Sequence, residues 1–330
     1  MKAVYTKVKN LSDAVYGHVS LYQQQQRKEH SEPTLVIIKK MSISHMDRKV
    51  SVADNIPVEE DGRSEIKIMK RLPHHPNVVS LITSFKDSKS IYLVSEYCSN
   101  GDLYDDVQSN CGIDIEKAMT YFRQIVSGLS HLHSHNIAHR DVSLENVLMD
   151  GNGICKISDM GLSIVNEKGD MVQSDVRVGK RFYMSPEVYA GDKYDPFKAD
   201  MWSLGVLLYI LATGEPLYSN ATMEDSRFAS VVKTCGISQV LNASRKSLPE
   251  PVVQLIDSLL VLNPSSRLDI EQVERMVFSD EKGNITASGS NMDLPSKDFC
   301  STCNKKFRWY RTPKVSRNDK YCRKCIKFLQ

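Results

Sequence analysis

His139–Asn146 reads HRDVSLEN, and the reading of the whole chain turns on what its acid and its amide are for. Asp141 stands five residues before Asn146, and a second acid follows in "SDMG", where Asp159 lies thirteen residues beyond that Asn. Three hard oxygen donors therefore sit on two loops that flank a short predicted hairpin. Such donors suit Mg2+. They also suit phosphoryl transfer, which needs charge neutralised and a hydroxyl oriented more than it needs covalent catalysis.

Upstream of this stretch the chain reads as strands. "AVYGHVSLY" at 14–22 alternates apolar and polar residues, "TLVIIKKM" at 34–41 is a β-branched run suited to a buried strand, and "SIYLVSEY" begins at Ser90. "QQQQ" at 23–26 lies between two strand patterns and reads as a solvated hairpin tip. One helix interrupts them: "SEIKIMKRL" puts Ile66, Ile68, Met69 and Leu72 on an apolar face that stops at Pro73. Lys39 ends an apolar strand, where a bare ammonium is costly to bury, and Glu65 on the helix offers a counter-charge.

From residue 102 onward the pattern is helical. "IDIEKAMTYFRQIVSGLSHLH" sets Ile115, Ala118, Met119, Phe122, Ile125, Val126, Leu129 and Leu132 on one stripe. "DMWSLGVLLYILATG" at 200–214 is apolar almost all round, as a helix buried in the middle of a lobe would be. Strands first and helices after predict an α+β protein of two lobes. A chain of 330 residues, 41% hydrophobic and 25% charged, is long enough for that and ordinary for a globular protein. No apolar run approaches membrane-spanning length and the first residues lack a signal-peptide core, so cytoplasm or nucleus is the expected location. Cys98, Cys111, Cys155 and Cys235 are scattered and read as reduced thiols.

HRD-x4-N, then D-x-G, then "SPE" at 185–187 and "DMWSLG" at 200–205 form a succession far more specific than any one motif. From about residue 10 to 278 it resembles the eukaryotic protein kinase family, of the Ser/Thr type. The resemblance implies a bilobal fold over 1–278, with the β-rich lobe to about 97 and the helical lobe from about 98, acting on a protein substrate with ATP and Mg2+. Asp141 then matches the base that accepts the substrate hydroxyl proton, and Asn146 and Asp159 the Mg2+ ligands. Lys39 matches the strand lysine on the α/β-phosphates, and Glu65 its helix partner. Arg140 matches the arginine that receives a phosphate or an acid from the activation segment, Glu187 a glutamate paired with Arg267, and Asp200 the anchor of the catalytic loop. The phosphate loop is "SDAVYGHV", with Ser12, Ala14, Gly17 and Val19 over the nucleotide. The backbone from Glu96 to Cys98 would meet adenine, Asp102 would bind ribose, and Ser95 guards the rear pocket.

Four departures stand out. Ser12 and Ala14 replace glycines, so the backbone should approach the phosphates less closely. Met160 replaces a phenylalanine, an apolar exchange that can still pack. Ser143 stands where a lysine contacts the transferring phosphate, and Lys180 where a threonine usually faces that lysine. Read together, the last two look like one pair exchanged, with Lys180 reaching across to restore charge beside Asp141 and Ser143 as its hydrogen-bond partner. Asp102 and Glu145 match acids that receive substrate arginines in basophilic kinases, whereas Ile210 occupies a third position where such kinases often carry an acid. Val176 aligns with the usual phosphorylated position, with Ser174 and Asp175 beside it.

The last part of the chain is chemically separate. Residues 298–330 hold ten Lys/Arg against two Asp/Glu, a charge of +8, while the preceding 297 hold 33 against 38, a charge of −5. A polar linker, 279–297, joins them. Cys300 and Cys303, then Cys322 and Cys325, are C-x2-C pairs separated by 18 residues, a spacing suited to a four-thiolate Zn2+ site. The pairs resemble the first half of a FYVE-type finger whose second half is missing, which favours a single-zinc module. Its basic surface would suit an acidic protein patch, phosphoinositides or nucleic acid. The reading from a different class is a pseudokinase scaffold recruited through this module, favoured by the eroded phosphate loop.

Overall fold

The computed structural model describes residues 4–25, 34–109, 113–173 and 177–278. The linker, the four tail cysteines and the Ser174–Val176 stretch lie outside the described residues.

The first lobe is built on β1 (Val4–Ala14), β2 (Gly17–Gln25), β3 (Thr34–Ser42), a short α1 (Ile43–Arg48), α2 (Gly62–Arg71), β4 (Leu81–Lys86) and β5 (Ser90–Glu96). The strands form one antiparallel sheet in the order β1-β2-β3-β5-β4. Two expectations need correcting. Gln23–Gln25 do not form a hairpin tip: Gln24 pairs with Tyr5 on one side and Thr34 on the other, so the run continues β2 as a polar strand. The run 14–22 is not one strand either, because Val15 and Tyr16 make a two-residue turn between Ala14 and Gly17. The sequence reading also missed β1. It is an edge strand with Val4, Val8 and Leu11 exposed, so no buried face imposes an apolar alternation.

Helix α2 starts where Asp61 accepts hydrogen bonds from the Arg63 N–H (2.9 Å) and the Ser64 hydroxyl (2.8 Å). It ends at Leu72, the residue before Pro73, where the α conformation is disfavoured.

The helical lobe follows: α3 (Leu103–Ser109), α4 (Ile115–Ser134), β6 (Ile137–Ala138), β7 (Val147–Met149), β8 (Cys155–Ile157), β9 (Ile164–Val165), α5 (Pro186–Ala190), α6 (Pro196–Thr213), α7 (Ser226–Thr234), α8 (Ser238–Ala243), α9 (Glu250–Leu259) and α10 (Ile270–Phe278). Helix α6 is buried on every side, with Trp202, Leu204, Leu207 and Tyr209 inaccessible to solvent. The β7–β8 hairpin carries the two functional loops, one before it and one after. The first lobe docks on its outer strand: Asn77 Nδ2 donates to the Cys155 carbonyl (2.9 Å) and the Val79 N–H to that of Ile157 (2.9 Å). Helix α4 must pass close beneath, and a Cβ on Gly128 would sit 2.4 Å from the Asn77 carbonyl oxygen. Only glycine fits there.

Candidate active site

A cleft of about 330 Å3 opens between the sheet and the β7–β8 hairpin. Ser12, Ala14, Val19 and Lys39 line it from the sheet, Ser95 and Glu96 lie at its back, and Leu148 and Asp159 form its floor. Gly17, Cys98 and Asp102, expected at the nucleotide, are not among the lining residues. Gly17 serves packing: a Cβ there would lie 2.2 Å from the Lys40 carbonyl oxygen, so the residue lets β2 and β3 meet. The Asp102 carboxylate accepts the Asp105 N–H (2.9 Å) at the start of α3. The Cys98 side chain is buried, and burial pushes its thiol up to about 12.

Lys39 Nζ lies 2.9 and 3.1 Å from the two Glu65 oxygens and 3.2 Å from Asp159 Oδ1. Burial opposes its charge, but Asp159, Glu65 and Glu60 outweigh that and hold the ammonium above its usual range. In return the Lys39 ammonium holds the Asp159 carboxyl below the usual carboxylate range. Asp159 and Arg140 both have positive φ (61° and 66°), a backbone strain that clusters at functional loops.

The loop before β7 hangs from one buried acid. Asp200 accepts the N–H groups of His139 (2.8 Å) and Arg140 (2.7 Å), and His133 Nε2 lies 3.0 Å from it. Asp141 follows on that loop with both oxygens engaged. Its Oδ1 accepts the Lys180 N–H (2.9 Å), and its Oδ2 accepts Asn146 Nδ2 (2.7 Å) and Lys180 Nζ (3.1 Å). Lys180 Nζ also donates to Ser143 Oγ at 2.9 Å. The ammonium thus stands between the two positions, beside the carboxylate. Asn146 spends its amide nitrogen on Asp141, which leaves its oxygen for a metal, and Asp159 carries a part-exposed carboxylate. That donor set fits Mg2+.

Met160 is buried in the main core, where Ser163 Oγ lies 3.5 Å from its sulfur. Arg140 reaches Tyr194 Oη (3.0 Å) and the Leu162 carbonyl (3.3 Å), and Arg267 pairs with Glu187 at 2.8 Å.

A protein kinase domain model matches residues 5–279. The chain belongs to the protein kinase family. It is 35% identical over 274 residues to the human NUAK family SNF1-like kinase 2, covering 82% of this chain and 39% of that one. The same holds for the Pongo abelii protein of that name. A probable serine/threonine-protein kinase of Dictyostelium discoideum is 33% identical over 210 residues, or 64% of this chain and 24% of its own length. The chain therefore spans less than half the length of these relatives.

Two features of this kinase domain escaped the sequence reading. Tyr16, at the tip of the phosphate loop, is folded under the sheet at 2% exposure against Met41, Met46, Ile66 and Leu93. Its hydroxyl donates to the Glu60 carbonyl (2.6 Å), its own carbonyl accepts the Ser42 N–H (2.8 Å), and the Val15 carbonyl accepts that of Val52 (2.8 Å). The loop tip is bonded to the lobe. Tyr16→Phe should cost about 1 kcal/mol of stability in denaturant unfolding, the worth of one part-buried hydrogen bond, because the ring stays packed. An unchanged midpoint would show that the hydroxyl bond contributes nothing.

The second feature is Glu60. The Asp61 N–H donates to the Gly161 carbonyl (3.0 Å), and this bond brings the neighbouring Glu60 carboxylate into the cleft against Gly161. Desolvation pushes its carboxyl up to about 7, Lys39 pulls it down, and Asp159, Glu65 and Asp141 raise it again. A carboxyl whose folded pKa is raised binds more protons folded than unfolded, so stability falls as pH rises between the two values. The melting temperature of Glu60→Gln should therefore gain on wild type between about pH 5 and 7.5. Parallel pH profiles would place the carboxylate in water.

Proposed function

We propose that the chain is a Mg·ATP-dependent protein serine/threonine kinase that transfers the γ-phosphoryl group to a protein hydroxyl. The observation that carries this reading is the adjacency of the Lys39–Glu65–Asp159 group, which lines the cleft, and the Asp141–Asn146–Lys180 group, joined to it where the N–H of Ser158, the residue before Asp159, donates to the Asn146 carbonyl (2.8 Å). Lys39 and a metal held by Asp159 and Asn146 would neutralise the phosphate charge. Asp141 orients the acceptor hydroxyl and takes its proton, while Lys180 places a positive charge where negative charge develops. Labelled ATP with Mg2+ and a generic protein substrate tests this against Asp141→Asn. Equal signals, or none from either, would refute it.

One observation favours the pseudokinase scaffold. With Tyr16 packed under the sheet and the carbonyls of Val15 and Tyr16 both bonded, the loop tip is not free to fold over the phosphates. The intact base and metal positions outweigh it, since phosphoryl transfer depends more on them than on loop closure.

The cysteine pairs of the tail support a single four-thiolate zinc module, with the +8 charge of 298–330 as its binding surface for an acidic protein patch, phosphoinositides or nucleic acid. Metal analysis of the full chain should find one zinc per molecule, lost when Cys322 and Cys325 are changed to Ser. None, or two, would sink the single-zinc reading. A cytoplasmic or nuclear location goes with this reading, and fractionation of cells tests it.

A further inference from the structure

The surface that adjoins the catalytic base is basic. Gly179 has φ +87°, and a Cβ on it would lie 2.7 Å from the Arg140 carbonyl oxygen and 3.4 Å from Asp141 Oδ1. Lys180 follows, bonded to Asp141 through backbone and side chain. Consecutive Cα atoms are about 3.8 Å apart, so Arg181 is next to Lys180 and Arg177 lies within about 11 Å of it. A hydroxyl delivered to Asp141 must bring its neighbouring residues over this strip.

Arg177 and Arg181 are both exposed. Among the described residues neither is paired with a carboxylate. The Arg177 guanidinium lies 4.2 Å from the Tyr189 ring centroid, a contact that orients the fork without neutralising it. Three acids of the neighbouring elements have other work. Glu187 is held by Arg267, Asp195 accepts the Phe197 N–H that starts α6, and Asp200 anchors the catalytic loop.

The acids expected to receive substrate arginines fare differently. One oxygen of Asp102 accepts the Asp105 N–H at the start of α3. Glu145 lies beside Tyr183, with its Oε2 buried. Ile210 is in the core. The ledge beside the base therefore offers cations to the substrate more openly than the cleft mouth offers acids.

We propose that the acceptor residue of the substrate adjoins an anionic side chain, a carboxylate or a phosphate, which Arg181 and Arg177 receive. The inference rests on the phosphotransfer reading and names its substrate class. Guanidinium forks match both anions in geometry, and the contacts, being exposed, act on binding more than on chemistry.

The test is a set of Ser/Thr peptides varied at the two residues on either side of the acceptor, assayed with Mg·ATP and the full chain. Asp or Glu beside the acceptor should lower KM about fivefold relative to Ala with kcat nearly unchanged, and added salt should shrink the gain. Phosphoserine at the same place separates the two sources. A gain well beyond that of Glu assigns the site to phosphate, and an equal one to carboxylates. Arg181→Glu should turn the preference toward Lys, and Arg181→Ala should flatten it. Preference for neutral or basic neighbours in wild type, or a preference that survives Arg181→Glu combined with Arg177→Glu, overturns the inference and leaves the phosphotransfer reading standing. Absence of transfer to any peptide or protein overturns both.

Discussion

Lys39→Met is expected to cut phosphoryl transfer to below about one thousandth of wild type, because in the proposed function it removes the cation that would face the phosphates in the cleft. The same change should also destabilise the first lobe. Glu65 is buried and its cation partner is Lys39 Nζ, at 2.9 Å, so the mutant leaves a carboxylate without compensation. Breaking a buried pair from one side costs about 3 kcal/mol or more unless the survivor takes up a proton. The two consequences separate in a double variant. Lys39→Met with Glu65→Gln should regain much of the lost stability in denaturant unfolding, since no buried charge remains, yet stay inactive. If the double variant regained activity, or Lys39→Met kept wild-type turnover, Lys39 would not be the phosphate cation.

What the sequence disclosed and what it withheld follow the range of the interactions involved. Asp141, Asn146 and Asp159 are tied to one another by spacing along two loops and a hairpin, so their grouping is legible without coordinates. Lys39 and Glu65 are 26 residues apart, but each sits on an element with its own periodicity, a strand end and a helix face, and the charges find each other. Glu60 and Tyr16 have no such signal. Glu60 enters the cleft because the Asp61 N–H meets the Gly161 carbonyl, a contact between distant loops that no local pattern encodes. Tyr16 in a turn would be read as a solvent-facing aromatic. It is buried because the space between β3 and α2, lined by Met41 and Ile66, needs filling from outside both elements. The edge strand β1 was missed for the opposite reason, since a strand with almost no buried face leaves no alternation to detect.

The pair formed by Ser143 and Lys180 was legible because two unusual residues compensate each other, and it yields the sharpest functional test. Lys180→Thr should lower kcat about a hundredfold, a transition-state loss of about 3 kcal/mol, with little change in the KM for ATP. The structure adds a reason for that split. Lys180 Nζ touches Asp141 Oδ2 and Ser143 Oγ, whereas Lys39 is the cation that lines the cleft where the nucleotide would bind. Ser143→Lys alone should also impair turnover, because a second ammonium would be forced against the first at a buried position. Ser143→Lys with Lys180→Thr returns one ammonium and one hydroxyl to the same space in reversed order, and should recover much of the loss. Residues that share a contact couple, and distant ones add. The Lys180 backbone N–H to Asp141 Oδ1 survives in every variant, so the base stays positioned and the cycle reports on the charge alone. Additive effects, or a harmless Lys180→Thr, would mean that Asp141 works without a neighbouring ammonium, and the erosion of the phosphate loop would then weigh more heavily toward a scaffold.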